Sequence, residues 1–255
     1  MRTKAGDSWR NSLSAWGIPY EILNQAPVSP WIHPVELFQV PDEITITPSH
    51  LKALEIKPDS VLDVGCGGGV AAFALVPPAT KVIGVDHQPE MLQVFAANAV
   101  KRKVAAEIFE GFWPEVAQQT PKADVVVSHH VLYNVSEIES FLIELGSHAN
   151  KRVVIEIPQQ HPQSDANYLW KHFWQLERPN TPTPESIIEI LKELGIQGHV
   201  EYWESQMGPK VDIDKNVEFT RIRLCLDKSK DAVIKNLLLA RPTTARKLAT
   251  IWWDK

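Results

Sequence analysis

Between Ser60 and Leu75 the chain reads SVLDVGCGGGVAAFAL, an apolar run followed by four glycines in five positions, with an aspartate two residues before the first of them. A glycine costs about 1 kcal/mol against alanine inside a helix or strand. Four together mark a turn whose backbone must be bare because something else lies against it. The preceding residues, SVLDV (60–64), read as a buried strand. The following ones read as a helix to Leu75, which the prolines at 77 and 78 stop. A strand, a glycine turn and a helix in that order open a parallel α/β sheet.

The chain downstream repeats the alternation. KVIGVD (81–86), AAEIFE (105–110), ADVVVS (123–128) and RVVIEI (152–157) read as strands. A helix from Pro89 to Lys101, with Met91, Leu92, Val94 and Phe95 for its core face, separates the second strand from the third. SEIESFLIEL opens with Ser136 as a cap and Glu139 three residues on, the spacing of a capping box. Before the glycine turn, TPSHLKAL places a capping Thr47 ahead of a proline at the first helical position. Short apolar strands alternating with helices require right-handed crossovers and a sheet covered on both faces. The expected fold is therefore α/β: three layers, doubly wound, with a mostly parallel sheet.

Two regions lie outside this pattern. The first 46 residues are punctuated by prolines, apart from a short amphipathic helix around Asp7 to Trp16, and read as an N-terminal cap segment. Residues 47–255 form the main domain, with helical cap insertions at about 159–183 and 208–244. These contain ANYLWKHFWQL and a long helical stretch, and they flank a helix from Pro184 to Leu194 and a strand HVEYWE. The strand KLATIWWD closes the chain.

Composition narrows the function. A net charge of −5 lacks the basic excess of a nucleic-acid scaffold, so no nucleic-acid partner is expected. No run of 18 apolar residues spans a membrane, and the N-terminus has no apolar stretch of signal-peptide length. Two cysteines, Cys66 and Cys225, are too few for a disulfide framework or a cysteine-based zinc site, and a reducing cytoplasm is the expected compartment. His129, His130, His161 and His33 lack the carboxylate–histidine spacing of metal ligands, so no metal is called for.

In a parallel sheet the ligand crevice lies at the carboxyl ends of the strands, where the strand order reverses. The glycine turn sits there, and Asp86 closes the next strand 17 residues after Gly69. A carboxylate in that place can accept both hydroxyls of a ribose. Two cofactor classes fit. The dinucleotide pattern G-x-G-x-x-G, read from Gly65, fails at Val70, and a reading shifted to Gly67, Gly69 and Ala72 lies deeper in the helix. The pattern acid-x-G-x-G-x-G is matched in full by Asp63, Gly65, Gly67 and Gly69. An acid before the glycines makes sense when a cation is nearby, and an α-ammonium group qualifies.

VLDVGCGGG, VIGVDHQPEML and ADVVVSHHVLYNV together resemble the class I S-adenosylmethionine-dependent methyltransferases, from about residue 47 to 158. The resemblance implies S-adenosylmethionine as cofactor and S-adenosylhomocysteine as product. It places Asp63, Gly65, Cys66 and Gly67 against the methionine part and the ribose, Asp86 on the ribose hydroxyls, and His87 beside the adenine. EGFWPE would flank the adenine through Gly111, Phe112 or Trp113, although this chain has Glu110-Gly111 where many members carry Gly-Asp. His129, at the start of the loop after the fourth strand, would approach the methionine end.

Next to it, His130 is the candidate base or substrate contact, with Tyr133 one turn on. Trp16, Trp31 and Trp170, in the cap segments, are the candidates for an apolar acceptor pocket. The Asn/Asp-Pro-Pro-aromatic signature of enzymes that methylate planar nitrogens is absent after the fourth strand, which ends SHHV. A small, partly apolar methyl acceptor is the resulting expectation. An S-adenosylmethionine-binding protein without catalysis and an NAD-dependent dehydrogenase remain as alternatives.

Overall fold

Each apolar run named above is a strand. The computed structural model describes residues 2–30, 40–205, 212–241 and 245–255. In chain order the strands are β1 (Ser60–Val64), β2 (Lys81–Asp86), β3 (Ala105–Glu110), β4 (Ala123–His129), β5 (Ala149–Pro158), β6 (His199–Glu204) and β7 (Lys247–Asp254). They form one seven-stranded sheet in the order β3-β2-β1-β4-β5-β7-β6. β1 pairs in parallel with β2 and β4, β2 with β3, and β4 with β5. β7 runs antiparallel to both of its neighbours. The order reverses between β1 and β4, which puts the crevice beyond the carboxyl ends of β1, β2 and β4.

Side-chain alternation along the strands assigns the two covering layers. Val61, Val82, Val125, Val127 and Val154 face one core, shared with Ala53, Phe73, Leu92 and Phe95. Those residues come from α3 (Pro48–Leu54), α4 (Val70–Phe73) and α5 (Pro89–Arg102). Leu62, Val64, Ile83, Val126, Val153 and Ile155 face the other, with Trp9, Phe141, Leu142, Ile187 and Ile190. Here the partners are α1 (Lys4–Ser14), α6 (Ile138–His148) and α8 (Pro184–Glu193). α1 thus belongs to a covering layer rather than to a cap.

Glu139 explains why α1 is held there. It does not close a capping box on Ser136, as its spacing predicts, and the N-cap of α6 is Glu137. Its buried carboxylate instead accepts from the Thr3 amide at 3.0 Å, the Thr3 hydroxyl at 3.1 Å and Arg10 at 2.7 Å. Burial opposes ionisation, but the Arg10 and Thr3 hydrogen bonds hold the Glu139 pKa down, at about 2. A carboxylate with that many donors gains more from α1 than from one backbone N–H at its own helix end.

A third core lies off the sheet. Ile22, Leu169, Trp170, Val217, Leu224 and Ile234 pack together. They come from α2 (Tyr20–Leu23), α7 (Asn167–Trp174), α9 (Ile213–Arg223) and α10 (Asp231–Leu239), with Leu224 just past α9. α7 lies in the segment after β5, and α9 and α10 lie between β6 and β7. Pro158 pairs with Leu248, and Lys247 with Glu204, so both connections leave the sheet at its carboxyl edge. This helical cluster is therefore joined to the sheet at its carboxyl edge. Arg178 ties it to the end of α1: its guanidinium donates to the carbonyls of Gly17 (2.9 Å) and Trp16 (2.7 Å) and lies 4.7 Å from the Trp170 ring.

Candidate functional site

The glycine turn has φ +72 at Gly65, +49 at Gly67 and +98 at Gly69, the left-handed region that glycine enters without penalty. At two of these positions the bare backbone faces protein. A Cβ on Gly65 would meet Val131 Cγ2 at 2.4 Å, and one on Gly69 would meet Phe73 at 2.3 Å and Phe95 at 2.7 Å. The glycines therefore let the turn pack down between the loop after β4 and the helices behind it. α4 is a single turn, shorter than the helix expected to Leu75, and its N-cap is Gly69.

Asp86, at the end of β2 and 9% exposed, organises the turn. One carboxylate oxygen accepts from the Gly67 amide at 2.9 Å and the other from the Gln88 amide at 3.0 Å. Each oxygen keeps a lone pair for a further donor. Asp63 is buried beneath the turn and accepts from the Ala72 amide at 3.1 Å. Burial pushes its pKa up to about 7, against the Ala72 hydrogen bond, and nearby Asp86 adds to the rise. Two carboxylates under a glycine turn, one of them near neutrality, make a site that gains from a cation.

Cys66 contributes size rather than thiol chemistry. Its thiol is free and buried, and burial pushes its pKa well above the ordinary range. His87, next to Asp86, stacks on Phe112 with ring centroids 4.7 Å apart. Phe112 is 64% exposed, so this pair forms an aromatic face at the mouth of the turn. Gly111, at φ +146, donates its amide to the Asp86 carbonyl at 3.0 Å and carries Phe112 to that place. Trp113 goes elsewhere: it is buried against α6, with its indole N–H on the Phe141 carbonyl and His148 at its edge.

The loop after β4 separates the remaining candidates. Tyr133 is buried, stacks on Trp9 and donates its hydroxyl to the Pro158 carbonyl at 2.8 Å. Burial pushes its pKa upward. That is a packing role, and it removes Tyr133 from the reacting groups. His129 lies 5.3 Å from His50 of α3, on the sheet face away from α6. Burial lowers its pKa to about 3, and its Nε2 is a buried nitrogen with no hydrogen-bond partner. His130 stands apart, half exposed, at φ +62, with Nε2 3.0 Å from Glu156 Oε1.

Trp16 and Trp170 are 4% and 2% exposed. Trp16 stacks on His161 at 4.0 Å and donates its indole N–H to the Thr181 carbonyl, while Trp170 faces Arg178. Both rings build the cap, and neither opens onto free space. Trp31 and His33 lie outside the described residues. Sequence reasoning missed Glu156, His50 and Thr47. The available signal was a charged residue inside the otherwise apolar RVVIEI, since a buried acid requires partners.

With this geometry in place, residues 61–151 match the family model of a methyltransferase domain. Residues 61–151 are thus similar to a methyltransferase domain, and the seven-stranded sheet has the class I methyltransferase fold. Over 80 residues it is 39% identical to the ribosomal protein L11 methyltransferase of Vibrio campbellii, covering 31% of this chain and 27% of that one. Over 90 residues it is 30% identical to the ubiquinone biosynthesis O-methyltransferase of Azorhizobium caulinodans, covering 35% of this chain and 36% of that protein. The chain thus spans well under half the length of these curated relatives.

Among solved structures, the YcgJ protein of Bacillus subtilis superposes with a TM-score of 0.55 at 15% identity, over 81% of this chain and 97% of that one. The magnesium protoporphyrin IX methyltransferase of Synechocystis, solved with S-adenosylhomocysteine, superposes with a TM-score of 0.50 at 16% identity, over 79% of this chain and 77% of that one. These likenesses show the fold. The matched methyltransferase domain contains the glycine turn, Asp86, the His87–Phe112 face and the loop after β4.

Proposed function

We propose that the protein is an S-adenosylmethionine-dependent methyltransferase that transfers the methyl group in line to a small, partly apolar acceptor. The observation that carries this reading is the Asp86 carboxylate, set on the Gly67 amide with a lone pair free on each oxygen. A dinucleotide needs the amides of such a turn for its pyrophosphate. Here a carboxylate holds one of them, and a second carboxylate lies buried below. The site repels a pyrophosphate and suits a ribose and an ammonium group.

When bound, S-adenosylmethionine supplies an electrophilic methyl group on a positively charged sulfur. Asp86 would accept hydrogen bonds from the ribose hydroxyls. Asp63, with the backbone of Gly65, Cys66 and Gly67, would hold the ammonium end, and His87 with Phe112 would hold the adenine. The cap built on Trp16 and Trp170 excludes water from the acceptor side. Holding the acceptor atom about 3 Å from the methyl carbon, on the line of the breaking bond, supplies most of the acceleration. His130, at the end of β4, is the candidate base. The relatives include a ribosomal protein L11 methyltransferase and a ubiquinone biosynthesis O-methyltransferase, and the small-acceptor reading is supported instead by the helical cluster joined at the carboxyl edge of the sheet.

Calorimetric titration tests the cofactor. S-adenosylhomocysteine should bind with micromolar-range affinity and NAD should give no heat of binding. Below pH 7 the binding should release a proton, because a cation beside Asp63 favours the ionised carboxylate; above pH 8 the release should vanish. Binding of NAD in place of S-adenosylhomocysteine would overturn the reading.

A further inference from the structure

Glu156 sits inside β5 between buried apolar neighbours and is itself 4% exposed. An unpaired carboxylate there would be strongly destabilising, so this one requires partners. Its partners converge from two elements. The Thr47 hydroxyl, at the N-cap of α3, donates to Oε2 at 2.9 Å. His130 lies on it twice: the ring Nε2 is 3.0 Å from Oε1, and the backbone N–H donates to the Glu156 carbonyl at 2.8 Å.

Burial works to raise the Glu156 pKa. His129 and His130 beside it, with hydrogen bonds from His130 and Ser49, hold it well below the usual carboxylate range. The double hold on His130 matters because φ +62 is a left-handed conformation that strains a non-glycine residue. Strained conformations of this kind persist where the surroundings fix them, and they cluster at functional sites.

The Nε2 contact fixes the ring chemistry. Facing an ionised carboxylate, Nε2 carries the proton and Nδ1 keeps its lone pair. The other two imidazoles near Glu156 are not equivalent. His50 Nδ1 accepts from the Thr47 amide at 3.0 Å, which uses its lone pair, and burial lowers the His50 pKa. His129 is turned toward His50, under α3. Of the three, His130 alone combines a free lone pair with a side chain 44% exposed, at the carboxyl ends of β4 and β5.

We infer that Glu156 is a positioning residue for His130, and that the acceptor group at this site is a hydroxyl whose proton passes to His130 Nδ1. This deepens the proposed function and rests on it. The acceptor oxygen gives its proton to Nδ1 and forms the new bond to the methyl carbon. The electron pair of the broken carbon–sulfur bond goes to the sulfur, which becomes a neutral thioether. The imidazolium formed on His130 is stabilised by Glu156 and returns its proton to solvent through the exposed ring. A free amine or a carboxylate attacks with a lone pair of its own and has no use for this pair of residues.

Nitrogen-15 spectra of histidine-labelled full-length protein, saturated with S-adenosylhomocysteine, read the tautomer without any acceptor. The wild type should show His130 as the Nε2–H form, and Glu156→Ala should show a mixture of tautomers. Phenol, aniline and benzoate derivatives then compare acceptor classes. Glu156→Gln, which keeps the side-chain shape, should lower kcat for hydroxyl acceptors about 100-fold or more. KM and S-adenosylhomocysteine affinity should stay within about two-fold of wild type, which also shows that the variant folds. An Nδ1–H tautomer in a protein that binds S-adenosylhomocysteine would overturn the pairing alone. Turnover confined to aniline or benzoate derivatives, or an unchanged kcat in Glu156→Gln, would overturn the hydroxyl assignment. A wild type that fails to bind S-adenosylhomocysteine would instead undo the proposed function.

Discussion

Replacing Asp86 by alanine should weaken S-adenosylhomocysteine binding about 30- to 150-fold, a loss of about 2–3 kcal/mol. The ribose hydroxyls lose two charge-assisted acceptors in a site where Asp86 is only 9% exposed. A strand end beside a crevice suggests little effect on folding, but the hydrogen bonds say otherwise. Asp86 also holds the Gly67 and Gln88 amides, so the alanine variant should melt at a lower temperature. Asp86→Asn separates the two effects: its amide oxygen can still accept one backbone hydrogen bond, whereas the charge is gone. Calorimetry on all three proteins reads affinity, and thermal melts without ligand read folding. Unchanged affinity in Asp86→Ala would remove the ribose from this position.

The second large effect is expected at Gly65. An alanine there meets two costs, one for a left-handed φ of +72 and one for a Cβ 2.4 Å from Val131 Cγ2. The first amounts to about 1–2 kcal/mol and the second, as overpacking, to about 1–3 kcal/mol. Gly65→Ala should therefore destabilise the protein by about 2–5 kcal/mol in urea titrations. Adding Val131→Ala should return the packing part and leave the backbone part. The double-mutant cycle should then show a coupling of about 1 kcal/mol or more. Strict additivity would mean that Val131 is not what keeps Gly65 bare.

The sheet was legible because its signals are local. SVLDV, KVIGVD, AAEIFE, HVEYWE and KLATIWWD are strands at the bounds read from their apolar runs, since turn residues or charge bracket each of them. The loop pattern from Asp63 to Gly69 and the acid at Asp86 were legible for the same reason. What stayed hidden depends on partners distant in sequence. Glu139 has the spacing of a capping box, yet Thr3 and Arg10 outbid its own helix end. Trp113 and Phe112 are adjacent in EGFWPE, and only the backbone at Gly111 decides which one enters the core. Trp16 and Trp170 looked like pocket walls because the residues they pack against, His161 and Arg178, cannot be paired with them by periodicity. His130 was visible as a candidate. Its partner Glu156 was not, because the register that sets β4 beside β5 is a tertiary fact.

The proposed function places S-adenosylmethionine across the carboxyl ends of β1, β2 and β4, on the Asp63–Gly69 turn. A crystal structure of the protein with S-adenosylhomocysteine tests it most directly. The account predicts both ribose hydroxyls on the Asp86 carboxylate, the adenine against His87 and Phe112, and the sulfur turned toward the end of β4 where His130 stands. A ligand bound elsewhere, or a ribose out of hydrogen-bonding reach of Asp86, would contradict it.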